Sequence, residues 1–132
     1  MRKTLADAGL EPEQIDHINA HGTATPENDK MEYLHDRRPC SATICRRFRC
    51  RRTSRWSGIP FPRPARSKPI FSLLTLEHQR IPPTINYEVP DPAILFDVVG
   101  NKARDARVTA VMSNSFGFGG QNASLILTRE PV

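Results

Sequence analysis

The order of apolar and polar positions divides the chain into two patterned stretches around an unpatterned one. Arg2 to Ala8 reads as the end of a helix, with Gly9 just past it and Pro12 opening the next turn, the usual punctuation of helix ends. Ile15, Ile18 and Ala20 then form a short apolar run suited to a buried strand. That strand delivers residues 21–26 into a loop, and the polar residues 27–32 begin another helix. Between about Leu34 and Pro69 neither the 3.6 nor the 2.0 periodicity persists, so this stretch is expected to be irregular or disordered. Pattern resumes at Ile70 to Leu76, the end of a helix that Ile81-Pro82-Pro83 stops. Residues 84–101, with Pro90 and Pro92, are expected to form a surface loop. Val108 to Ser115 and Asn122 to Thr128 are β-type runs around Phe116-Gly117-Phe118-Gly119-Gly120-Gln121, a hairpin with a glycine-rich tip.

Composition sharpens that division. The formal charge of +5 is unevenly placed: residues 37–70 hold ten arginines, Lys68 and no acid, a local charge of +11, while the rest of the chain carries −6. All three cysteines (Cys40, Cys45, Cys50), the one tryptophan (Trp56) and five of the twelve prolines lie in the same window. The chain is a mosaic of two compositions. One reading of the basic window is a small protein binding nucleic acid through phosphate contacts, with Trp56, Phe48 and Phe61 stacking on bases.

Other classes are excluded more directly. The longest apolar blocks, around Phe71 to Leu76 and Ala93 to Val99, fall well short of the roughly 18 residues of a membrane span. Ala6-Asp7-Ala8 stands where a signal peptide would place its apolar region. Neither a membrane protein nor a secreted disulfide scaffold is expected, and the chain is expected to be cytoplasmic with no membrane partner. The cysteines are spaced by five residues, which matches neither a zinc knuckle nor a redox motif. A three-cysteine site completed by His35 is a poor fit, and no metal is implied.

Three segments carry a resemblance. Leu5-Ala6-Asp7-Ala8-Gly9-Leu10 leads through Ile15-Asp16-His17-Ile18-Asn19-Ala20-His21-Gly22-Thr23-Ala24-Thr25-Pro26 to Glu27-Asn28-Asp29-Lys30. Ile81-Pro82-Pro83-Thr84-Ile85-Asn86 follows, and then Ser113-Asn114-Ser115-Phe116-Gly117-Phe118-Gly119-Gly120-Gln121-Asn122-Ala123-Ser124-Leu125. In this order they resemble the C-terminal half of β-ketoacyl-[acyl-carrier-protein] synthases, the condensing enzymes of fatty-acid synthesis. A nucleic-acid module has no need of the thirteen-residue Ser113 to Leu125 string.

The resemblance implies an α/β fold, the incomplete C-terminal portion of a thiolase-like architecture. Residues 1–33 and 70–132 would form its first and last parts around a non-homologous segment, 34–69. It implies acyltransferase chemistry in which a cysteine holds the acyl chain and two histidines donate hydrogen bonds to a malonyl thioester as it loses carbon dioxide. No cofactor is implied. The implied partner is acyl carrier protein, through its phosphopantetheine arm, and family members are homodimers.

Residue by residue, His21 matches the first catalytic histidine. Thr23 and Thr25 match contacts to the phosphopantetheine arm, Phe118 the aromatic gate to acyl entry, and Phe116 its supporting neighbour. A histidine after a strand, taken alone, reads as a structural hydrogen-bonding residue, and the flanking motif is what changes that reading.

Two elements of the family pattern are missing from the 132 residues. No cysteine stands in the nucleophile's context, and the Lys-Ser-Met-x-Gly-His string with the active-site lysine and second histidine is absent from the middle. Joining the third base of each codon to the first two of the next restores a counterpart. Over Cys50 to Ile59 this frame permits Ser-Ser-Asn-Lys-Ser-Met-Val-Gly-His, over Pro39 to Ile44 Val-Phe-Gly-Asp-His, and over Arg66 to Pro69 Val-Glu-Ala. Residues of roughly 34–69 therefore read as a frameshifted translation of condensing-enzyme coding sequence, bounded by two compensating indels. The arginine richness is then that of a GC-rich gene read out of frame. Such a chain is expected to be a condensing-enzyme fragment that is inactive by itself.

Overall fold

The computed structural model describes residues 1–23, 25–37, 49–52, 64–90, 92 and 97–131, with positions 35–37, 49–52, 64–66 and 118 described by backbone alone. Helix α1 (Arg2–Ala8) ends at Gly9, whose φ of +64° places it in the left-handed region that glycine enters without a Cβ penalty. A short 3-10 turn, Pro12–Gln14, leads into strand β1 (His17–Ala20). Helix α2 (Pro26–Arg37), strand β2 (Arg49–Arg52), helix α3 (Pro64–His78) and strand β3 (Arg80–Ile81) follow. Strands β4 (Asp97–Val98) and β5 (Arg104–Asp105) precede a hairpin of β6 (Ala110–Phe116) and β7 (Asn122–Thr128).

The main sheet has the order β4-β2-β1-β6-β7, while β3 and β5 make a separate antiparallel pair. Its first four strands are parallel, and β7 is antiparallel to β6 from Ala110 opposite Thr128 to Phe116 opposite Asn122. All four residues of β1 are buried, the condition of a parallel strand covered on both faces.

Strand alternation sorts the side chains into two cores. Ile18 and Ala20 of β1 and Ala110 and Met112 of β6 join Leu5, Ile15 and Tyr33, the face covered by α1 and α2. Val111 of β6 turns the other way and packs with Leu76 of α3, Ile81, Val99 and Val108. The sheet is thus the middle layer of an α/β/α sandwich. His17 and Asn19 occupy the alternate positions of β1, and Asn19 Nδ2 donates to the Lys68 carbonyl and to Ser72 Oγ on α3, each at 3.2 Å.

Two polar side chains fix the ends of the layers. Asp16 Oδ2 accepts from the Thr109 and Ala110 main-chain N–H groups and from Thr109 Oγ1, joining the start of β1 to the start of β6. Gln79 closes α3 by donating to the Leu76 and Val108 carbonyls and accepting from the Val108 N–H.

Segment 34–69 departs in part from the expected irregularity. Helix α2 continues to Arg37, β2 pairs in parallel with β1, and α3 starts at Pro64 and runs through Pro69. Ladder hydrogen bonds are made by the main chain, so an arginine-rich string can join a sheet when its neighbours supply the partners. Proline suits the first helical position, and at Pro69 the loss of one N–H is offset by tertiary packing of the turns that follow. Residues 38–48 and 53–63 lie outside the described residues. Segment 84–101 is likewise more than a surface loop. Thr84 and Val99 are buried, the Thr84 N–H donates to the Val99 carbonyl, and the Thr84 carbonyl accepts from Asn101. The chain thus folds back on itself at the two ends of the segment, where the Thr84 N–H and carbonyl are both paired, while Asn86 and residues 88–90 stay exposed as a surface loop would. Among the described residues no helix is long and apolar enough to cross a membrane.

Candidate active site

β1 ends at Ala20, and the chain leaves the sheet at His21 before entering a helix at Pro26. A loop at the carboxyl end of a parallel strand exposes its main-chain N–H groups and needs acceptors. Glu32 supplies them from α2. Its Oε1 accepts from the His21 N–H at 2.7 Å and its Oε2 from the Gly22 N–H at 2.9 Å, with Asn28 Nδ2 a further donor at 3.4 Å. Glu32 is 6% exposed. A buried carboxylate therefore holds the backbone on which His21 stands.

The His21 ring lies 5.6 Å from the Phe116 ring, centroid to centroid, at an interplanar angle of 56°. That separation lies within the range of tilted aromatic pairs. It brings together residues 95 positions apart, each at the end of a neighbouring parallel strand. His21 is half-buried, and its pKa is lowered. Desolvation by burial is the main cause, the Lys68 ammonium adds to it, and the Glu32 carboxylate opposes it. A neutral imidazole at this place offers one N–H as a donor without introducing a charge.

Thr23 and Thr25 are exposed, with their hydroxyls 3.0 Å apart. Thr25 Oγ1 also accepts, at 3.4 Å, from the N–H of Asn28, the third residue of α2, and Pro26 stands at the first helical position. Thr25 therefore has a capping role that the motif alone did not indicate. Beyond Phe116, the Gly117 N–H donates to the Gln121 carbonyl at 2.8 Å, closing a turn in which Gly119 and Gly120 have φ of +78° and +80°. Only residues without Cβ enter that conformation freely. Phe118 lies on this turn, and its side chain is outside the described atoms.

The structure thus places His21 against Phe116, with Thr23 and Thr25 on the same loop as His21. Glu32 and Phe116 also line a cleft of about 660 Å³ walled by Met1, Thr4, Met31 and Ser124. Sequence reasoning missed Glu32, since a polar run at a helix start does not show which residue faces inward. Among the described residues no group of three histidine, cysteine or acidic side chains could hold a metal ion.

The β-ketoacyl synthase C-terminal domain model matches residues 1–43. The 3-oxoacyl-[acyl-carrier-protein] synthase 2 of Coxiella burnetii is 39% identical over 98% of this chain. The enzyme of the same name from Staphylococcus aureus is 36% identical over 96%. The chain belongs to the β-ketoacyl synthase family. It spans 31% of the length of each of these curated relatives. Solved ketosynthases share its architecture. The ishigamide ketosynthase/chain length factor superposes with a TM-score of 0.89 at 39% identity, covering 98% of this chain and 31% of that one. A β-ketoacyl synthase from Burkholderia phymatum STM815 gives 0.88 at 30% identity with the same coverage. The fold is the C-terminal portion of a thiolase-like ketosynthase, as the motifs implied.

Proposed function

We propose that this chain is a fragment of a condensing enzyme whose whole form joins an acyl thioester to malonyl-acyl carrier protein with loss of carbon dioxide. The observation that carries the reading is the meeting of two family motifs. The histidine of Asn19-Ala20-His21-Gly22-Thr23 and the first aromatic of Phe116-Gly117-Phe118-Gly119-Gly120 face each other at 5.6 Å. In this reading His21 donates a hydrogen bond to the thioester oxygen of the malonyl group. Negative charge builds on that oxygen as the carboxylate leaves, and a prepositioned donor stabilises it most in the transition state. The lowered pKa of His21 supports the role, because a neutral ring is a donor throughout the neutral pH range.

Thr23 and Thr25 would contact the phosphopantetheine arm of acyl carrier protein, and Phe118 would gate acyl entry with Phe116 beside it. The partner is then acyl carrier protein, and the assembled enzyme a homodimer. The nucleophilic cysteine belongs to the part of the family sequence that these 132 residues do not span. The lysine and second histidine belong to the string that the shifted frame permits over Cys50 to Ile59.

The test is reconstruction. With the middle frame restored and the remaining two-thirds supplied from a relative, the protein should release carbon dioxide from malonyl-acyl carrier protein and form β-ketoacyl product. A well-folded reconstruction that does neither would refute the reading.

A further inference from the structure

Lys68 is the one lysine placed in the core: it is 2% exposed and sits on the face of α3 turned toward the sheet. Its Nζ donates to the Ala20 carbonyl at 2.5 Å and to the Asn114 carbonyl at 2.6 Å. Ala20 is the last residue of β1, immediately before His21. Asn114 is in β6, two residues before Phe116. The Lys68 main chain is held as well, since its carbonyl accepts from Asn19 Nδ2 and from Ser72 Oγ. One residue of α3 therefore contacts two consecutive residues of β1 and, across the sheet, the strand that carries Phe116.

We propose that Lys68 is a positioning residue, a buried ammonium that pins the end of β1 to β6 and so sets where His21 meets Phe116. Strand ends fray where ladder bonds run out, and β1 and β6 stop being paired after Asn19 and Ser113. The ammonium takes over at the next residue on each strand, donating to the Ala20 and Asn114 carbonyls and so linking the two strands just beyond their last paired residues. Burying an ammonium is costly unless its protons are bonded, and main-chain carbonyls are acceptors with fixed directions. The charge also reaches the site. The charged groups acting on His21 are Lys68 from α3 and Glu32 from α2, while β6 presents the uncharged Phe116 ring. Lys68 opposes protonation of His21, and Glu32 favours it. The family motifs do not include Lys68. It lies where the shifted frame permits Val-Glu-Ala, so the pin is a property of this chain as translated. Its importance for catalysis rests on the reading of His21 above, but the pin itself does not.

The experiment is nuclear magnetic resonance on the isotope-labelled 132-residue chain. In the unsubstituted protein the Lys68 ammonium should exchange slowly with water and show couplings across hydrogen bonds to the carbonyl carbons of Ala20 and Asn114. An ammonium exchanging as fast as that of Lys3 or Lys102 would overturn the proposal. Lys68→Met removes both donor and charge, and Lys68→Gln keeps a donor without the charge. In both variants the His21 pKa should rise toward the ordinary imidazole value, and Lys68→Gln should unfold at a denaturant concentration between those of Lys68→Met and the parent. A His21 titration unchanged in Lys68→Gln would refute the charge coupling even if Lys68→Met fails to fold. None of these readouts uses condensing activity, so an inactive reconstruction would leave the pin standing.

Discussion

The Glu32 carboxylate accepts the main-chain N–H groups of His21 and Gly22 with separate oxygens, at 2.7 and 2.9 Å, from a site almost closed to solvent. The loop after β1 is thereby held by a side chain from the next helix, and the orientation of His21 depends on it. Glu32→Ala removes the acceptor of the buried Gly22 N–H and of the part-buried His21 N–H, which should cost about 2–4 kcal/mol by the usual penalty for unmade bonds to charged groups. Urea unfolding checks this, and a loss under about 0.5 kcal/mol would mean that water replaces the carboxylate.

The surroundings of His21 set a pH dependence. Burial, the first cause, and Lys68, the second, lower the His21 pKa below its unfolded value, so the unfolded chain binds a proton more readily than the folded one. Stability attributable to His21 is therefore complete above the unfolded imidazole pKa. It is lost as pH falls from there through the folded pKa. Glu32→Gln removes the one charge that raises the pKa, so His21 should protonate at still lower pH. Titration of the His21 ring protons checks the direction, and an upward shift would contradict it.

The aromatic contact gives a third expectation. Phe116→Ala opens His21 to water and weakens the desolvation that is the main cause of its lowered pKa, so the titration should move up toward the ordinary value. A titration that does not move would place the desolvation on other groups.

Much of this arrangement was legible in the sequence. Gly9 and Pro12 punctuate α1, the apolar Ile15 to Ala20 run became β1, and the glycine-rich tip between two β-type runs became the β6–β7 hairpin. Each rests on a local signal. Glu32 was not legible because its neighbours differ in burial without an apolar pattern: Met31 is 51% exposed, whereas Tyr33 is buried. Lys68 was hidden for a different reason. In a window of eleven cations a lysine reads as solvated, and only the convergence of the Ala20 and Asn114 carbonyls identifies it as internal. The burial of Thr84 and Val99 depends on contacts between segments fifteen residues apart, which proline content does not report.

The frame account makes a prediction independent of folding. Codons 34–69 of the gene, re-read in the shifted frame, should encode Lys-Ser-Met-x-Gly-His between the counterparts of Cys50 and Ile59. Resequencing decides it, and codon choices unable to yield that string would remove the frameshift account.

The central claim is that His21 stands at a position that stabilises the malonyl-derived anion. In the reconstructed enzyme the decisive measurement is carbon dioxide release from malonyl-acyl carrier protein by the parent and by His21→Ala. One lost donor to a developing oxyanion costs about 3 kcal/mol, so decarboxylation should fall roughly a hundredfold or more, with acyl transfer to the cysteine comparatively intact. Decarboxylation by His21→Ala at the parent's rate would contradict the assignment and leave His21 a structural residue at the end of β1.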